Sequence, residues 1–156
     1  MNEANLPELA QRIRVAHVRD AVPNGDHAVY VGRAMPGREG SVFGNPLPVR
    51  GRTWTPAAQA WTAHLATHAE LEVREAARAA LLARGYAQGE AATLYRHVLR
   101  AQCREAHSPQ RTALLRLARL VAAGETLTLQ CWCAPQPCHA AVIRDAILGY
   151  ARRLSA

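Results

Sequence analysis

A chain of 156 residues with 49% apolar side chains is long enough to bury a core without disulfide or metal staples, and it fits a single domain spanning residues 1–156. Nineteen arginines against twelve acidic residues, with no lysine, give a formal charge of +7, so the surface attracts anions and repels cations over about 8 Å at physiological salt. No apolar stretch approaches a membrane span and Met1 to Pro7 has no signal-peptide core, so a membrane protein and a secreted disulfide scaffold are both excluded as expectations; a cytoplasmic protein with reduced thiols is expected instead.

In chain order, Ile13 to Val18 alternates apolar and polar residues and reads as a strand. Asp20 to Gly25 is a turn carrying Pro23-Asn24-Gly25, and His27 to Val31 is a second strand stopped by Gly32. Gly32 to Thr55 follows as a long irregular segment rich in glycine and proline, with Arg33, Arg38, Arg50 and Arg52 beside the glycines. Loops of that length in compact domains usually carry function, and arginines next to exposed backbone N–H groups suit an anion. The segment has room for a short fourth strand near Leu47 to Val49.

Thr55-Pro56 combines an N-cap with a first-turn proline and predicts a helix to about His68. Ala69 to Arg84 predicts a second helix closed by Gly85, and Glu90 to His107 a third. Ser108-Pro109 repeats the cap-plus-proline signal, and that helix carries Leu114, Leu115, Leu117, Leu120 and Val121 before Gly124. Thr126 to Cys131 predicts the third strand, and Ala140 to Leu154 the last helix. Together these elements predict a small Rossmann-like α/β domain, a few-stranded, mostly parallel sheet covered by helices. A mainly helical protein with a small hairpin is the alternative.

Chemistry concentrates in Cys131-Trp132-Cys133-Ala134-Pro135-Gln136-Pro137-Cys138-His139, which holds three of the four cysteines. It lies between a strand and a helix, where open α/β folds place their ligands. Alternation puts Cys131 and Cys133 on one side of the strand and Trp132 on the other, while Pro135 and Pro137 stiffen the turn. Cys138 and His139 fall at the helix start, where free N–H groups and the positive dipole end favour a thiolate. That makes them the candidate catalytic pair: Cys138 as nucleophile, His139 as acid, base or anion donor.

Cys131, Cys133, Cys138 and His139 also match a Cys₃His zinc site in ligand type, although C-x-C and an adjacent Cys-His depart from the usual C-x₂₋₄-C spacing. Packing is the competing reading, foremost for Cys131, and Cys103 in mid-helix reads as packing too. His64 and His68, four apart on one predicted helix, share a face, read as a polar one. Trp54 and Trp61 are expected to anchor their helix to the sheet. Arg74, Arg78, Arg96, Arg100 and Arg104 read as a solvated face.

Two segments, Val29-Tyr30-Val31-Gly32-Arg33 with Gly44-Asn45-Pro46-Leu47, and Leu127 to His139, together resemble the family named domain of unknown function 4326, bacterial and phage proteins. The family reads strand, Gly-Arg, then Gly-Asn-Pro-Phe, and later Cys-x-Cys, a proline turn and Cys-His entering a helix. The resemblance runs from Val29 to Leu148. This chain departs from it in the longer interval Ala34 to Phe43, in Leu47 for the usual aromatic, and in Ala141 where an acidic residue is common. The Cys-His helix start is also similar to that of another uncharacterised α/β family.

The resemblance implies a pairing. Arg33 and Asn45 on the loop would meet Cys138 and His139 across the carboxyl edge of the sheet. Gly32, Arg33, Gly44, Asn45 and Cys133 are then the substrate-binding candidates, and a nucleotide or other phosphorylated small molecule is the expected ligand. The alternative is a basic nucleic-acid-binding accessory protein with a structural zinc on the Cys/His cluster. Family context alone adds a phage- or defence-related interaction module.

Overall fold

The computed structural model describes residues 5–133 and 138–155. Its elements run α1 (Leu6–Ala10), β1 (Ile13–His17), β2 (His27–Tyr30), α2 (Pro56–Leu65), α3 (Leu71–Ala83), α4 (Glu90–Arg104), α5 (Pro109–Ala122), β3 (Leu127–Cys131) and α6 (Ala140–Ser155). The three strands form one parallel sheet in the order β1-β3-β2. This is a small α/β fold; among the described residues the strands pair only in parallel, and the one antiparallel pairing is an isolated bridge between Met35 and Arg38. Ile13 and His27 both align with Leu127, and Val15 and Val29 with Leu129.

Why β3 lies in the middle follows from its residues. Leu127, Thr128 and Leu129 are buried in succession, as expected for a strand covered on both faces. β1 and β2, at the edges, are only partly buried. The loop 18–26 must carry the chain from the end of β1 back to the start of β2, skipping β3. That is a span of about 16 Å from strand rise and spacing, well within the ~30 Å reach of nine residues, so no crossover helix is needed. Asp26 closes this loop: its carboxylate accepts hydrogen bonds from the Thr126 and Thr128 hydroxyls, each at 2.6 Å.

Three helices start as their sequences dictate. Thr55 and Ser108 accept from the N–H groups of Ala58 and Arg111, each followed by a first-turn proline. Asn5 caps α1 in the same way, with Pro7 in its first turn; this helix is not among the predicted elements. α6 buries Ala140, Ile143, Ile147, Leu148 and Ala151 at helical spacing. It packs on α5, α1, α4, β1 and β3, making it the hub of the core. Arg144 on α6 pins it to the sheet by donating to the carbonyls of Ile13 (3.0 Å) and Ala10 (2.7 Å).

Several expected boundaries move. α2 stops at Leu65, so His68 lies beyond the helix and does not share a face with His64. His64 instead stacks edge-on against Trp61, and His68 against His97. Leu47 to Val49 forms no strand, only a lone bridge between Val49 and Tyr86. At the end of α3 the left-handed turn is taken by Arg84 (φ 55°), not by Gly85. Gly85 serves another need: a Cβ there would sit 2.6 Å from the Arg50 Cα.

Candidate functional site

β2 ends at Tyr30 and β3 at Cys131, and α6 begins at Ala140, immediately after Cys138 and His139. All three ends meet at the carboxyl edge of the parallel sheet, the usual ligand edge of such folds. Pro135 and Pro137, read as stiffening the turn, lie outside the described residues, as do Ala134 and Gln136.

His139 is 7% exposed, and its Nε2 lies 2.6 Å from the carbonyl oxygen of Val31. A carbonyl can only accept, so Nε2 carries the proton and Nδ1 keeps its lone pair. Nδ1 faces the Sγ of Cys138 at 3.5 Å. The result is a thiol–imidazole–carbonyl line with its tautomer set by backbone. Tyr95 packs edge-on against the ring at 5.2 Å. Burial is the main cause that pushes the His139 pKa below the ordinary histidine value; the Val31 carbonyl opposes it.

The three thiols of the cluster share hydrogen bonds. Cys138 contacts both Cys131 and Cys133, and these contacts, with burial, push its pKa up, while the Ala140 N–H at 3.5 Å pulls the other way. The thiolate expected from the helix start is therefore outweighed by neighbouring sulfurs and lost solvation. Cys133 is raised first by its bond with Cys131, with Cys138 and Arg33 acting to lower it. Cys131 is buried in the core, while Cys133 and Trp132 stand past the strand end and are exposed.

Arg33 comes from the other half of the chain. Its guanidinium donates to the Leu47 carbonyl and lies close enough to Cys133 and His139 for each to feel its charge. Lost solvation is the largest cause of its lowered pKa, and Cys133 opposes it. Behind Arg33 stands Asn45, 5% exposed. Its Nδ2 donates to the Ala91 carbonyl (2.9 Å) and its Oδ1 accepts from the Leu47 N–H (3.0 Å). The amide expected to aim at a ligand thus holds Leu47, whose carbonyl holds Arg33. Gly32 and Gly44 allow the crowding: a Cβ on Gly32 would meet the Tyr30 ring at 2.5–2.9 Å, and one on Gly44 the Ser41 carbonyl oxygen at 3.3 Å.

The rim was not legible in the sequence. Trp132 Nε1 donates to the Tyr30 hydroxyl at 3.0 Å, and that hydroxyl donates to the Arg33 carbonyl. Arg38 lies over the Tyr30 ring at 4.7 Å, and Arg19 over Trp132 at 5.7 Å, with His17 edge-on to the same indole. The strand end therefore presents Arg33 and Arg38 from the loop after β2 and Arg19 from the loop after β1. Tyr95, Trp132 and the carbonyls of Val31 and Leu47 carried no sequence signal, because their roles depend on who their neighbours are.

A second histidine cluster lies apart. His68, Glu70 and His97 bring their donor atoms within 4.8 Å of one another. His68 Nδ1 already accepts from the Glu70 N–H at 3.0 Å, and Arg96 and Arg100 are close enough to His97 to depress its pKa, after burial and His68. The same positive field opposes a cation. Among the described residues, no helix is long and apolar enough to cross a membrane.

Residues 13–149 match the family described as Domain of unknown function (DUF4326). That span is most of the chain, so the chain belongs to this family. No curated protein and no solved structure matches it.

Proposed function

We propose that this DUF4326 protein binds a nucleotide or another phosphorylated small molecule at the carboxyl edge of its sheet, and that Cys138 and His139 act on the bound ligand. The observation that carries this reading is the convergence of Arg33 on the Cys133–His139 corner. A guanidinium carries several N–H donors in a planar fork and is suited to a phosphate, and Arg19 and Arg38 extend the positive rim. Asn45 and Gly44 are positioning residues that set the loop carrying Arg33.

In this reading His139 Nδ1 takes the proton from Cys138 Sγ, leaving a thiolate and an imidazolium. The imidazolium keeps its Nε2–H bond to Val31, and the Ala140 N–H stabilises the sulfur. A bound phosphate would favour the imidazolium and so draw the proton across. Calorimetric titration with nucleoside mono- and triphosphates tests the site: Arg33→Gln should weaken binding at least tenfold, and Cys138→Ala should abolish any turnover. Unchanged binding in both variants overturns the proposal.

One observation favours a second reading. His139 Nε2 is anchored on a backbone carbonyl while Nδ1 faces Cys138, and Cys131 and Cys133 contact the same sulfur. Backbone-anchored imidazoles of this kind often ligate metals, and the donor set suits zinc. Elemental analysis with thiol titration separates the two. One zinc per chain with protected thiols favours the metal, and a metal-free chain with a fast-reacting thiol favours the nucleophile.

A further inference from the structure

Far from the Cys–His corner, a groove of about 580 Å³ runs between α4 and α6. Arg96, Arg100 and Arg104 from α4 and Arg153 from α6 line it. The three α4 arginines are four residues apart, so they stand on one helix face about 6 Å apart along its axis. All four side chains are exposed, and among the described residues none takes part in an ion pair. Among the described residues, Asp145 is the one acidic side chain in the lining. Like charges at this spacing repel, so α4 carries a small cost that a polyanion would relieve.

The groove also has an aromatic wall. Tyr150 is half-buried, and Arg153 lies over its ring at 5.6 Å, a paired guanidinium and phenol surface. Tyr150 follows Ala140 by ten residues, about 15 Å along α6, so this groove is separate from the site at the helix start.

We propose that the α4–α6 groove binds single-stranded nucleic acid. Arg96, Arg100 and Arg104 contact successive phosphates, and Tyr150 with Arg153 offers a stacking face to a base. A basic track beside an aromatic ring is the chemistry by which proteins hold unpaired strands without reading sequence. A duplex keeps its bases stacked and leaves the Tyr150 wall unused.

The test is fluorescence anisotropy of the full chain with a labelled twelve-nucleotide single strand, repeated across a salt series. Arg96→Gln, Arg100→Gln and Arg104→Gln together should weaken binding at least tenfold. They should also flatten the slope of log affinity against log salt by about 2, at roughly 0.7 per lost phosphate contact. Tyr150→Ala should weaken binding about fivefold or more, with Tyr150→Phe retaining it. A charge-matched control, Arg74→Gln, Arg78→Gln and Arg84→Gln, should leave the slope nearly unchanged. Equal losses in both triple variants would reduce the effect to net charge and overturn the proposal. So would tighter binding of the duplex, or mononucleotide competition as strong as that of the strand. Thermal melts confirm that each variant is folded, and Arg33→Gln, tested on nucleotide binding, reads the other site independently.

Discussion

The imidazole of His139 and the carbonyl oxygen of Val31, 108 positions apart in sequence, lie 2.6 Å apart. This contact joins the end of β2 to the start of α6 and sets which ring nitrogen faces Cys138. Burial of the ring, against the opposing pull of that carbonyl, makes the native state resist protonation there. The folded pKa lies below the ordinary value of 6.5, so the unfolded chain binds the proton more tightly. Stability should be complete above about pH 6.5 and should fall as pH drops below it. Melting temperatures between pH 5 and 8 check this. His97, also lowered, adds with the same sign, so His139→Gln should flatten the pH dependence in part and the double variant with His97→Gln further.

Asn45 holds Leu47, and Leu47 holds Arg33. Asn45→Ala leaves the Ala91 carbonyl and the Leu47 N–H without their side-chain partner. Urea denaturation should show a loss of about 1–3 kcal/mol. Nucleotide affinity should fall as in Arg33→Gln, although Asn45 itself need not touch the ligand.

Two glycines should respond with opposite signs. Gly85→Ala places a Cβ 2.6 Å from the Arg50 Cα and 2.7 Å from its nitrogen, backbone that cannot step aside cheaply. The expected cost is about 1–3 kcal/mol. Gly149 lies inside α6, and a Cβ there would meet nothing within 4 Å. Gly149→Ala should stabilise by about 0.8 kcal/mol through helix propensity. Paired denaturant curves measure both.

Asp26 closes the loop between β1 and β2. Hydrogen bonds from Thr126, then Thr128, hold its carboxyl below the usual value of 3.8. Its contribution is therefore present above about pH 3.8 and lost as pH falls through the folded pKa. Asp26→Asn should lower the melting temperature at pH 7 by a few degrees and weaken the acid dependence of stability below pH 4. An unchanged acid transition would show that the loop is held by its backbone alone.

Much of the architecture was legible because it rests on local rules. Thr55-Pro56 and Ser108-Pro109 announce helix starts through capping and fixed φ, whatever lies around them. The Leu127-Thr128-Leu129 run at β3 and the helical spacing in α6 follow from burial. α1 escaped because five residues with two leucines carry too little periodicity. Gly85 misled because a glycine after a helix usually supplies the left-handed turn, whereas here Arg84 supplies it and the glycine admits a neighbouring backbone. His64 and His68 misled because one turn of helix fewer separates their faces.

The residue types of the Cys–His corner, the basic charge and the order of strands and helices were set by the sequence alone, since each depends on neighbours within a turn or two. Tertiary structure decided the rest: that β3 runs between β1 and β2, that Asn45 faces inward, and that sulfur neighbours raise Cys138 against its helix start. Those outcomes depend on long-range packing and desolvation, which sum over residues far apart in the chain and leave no local pattern to read.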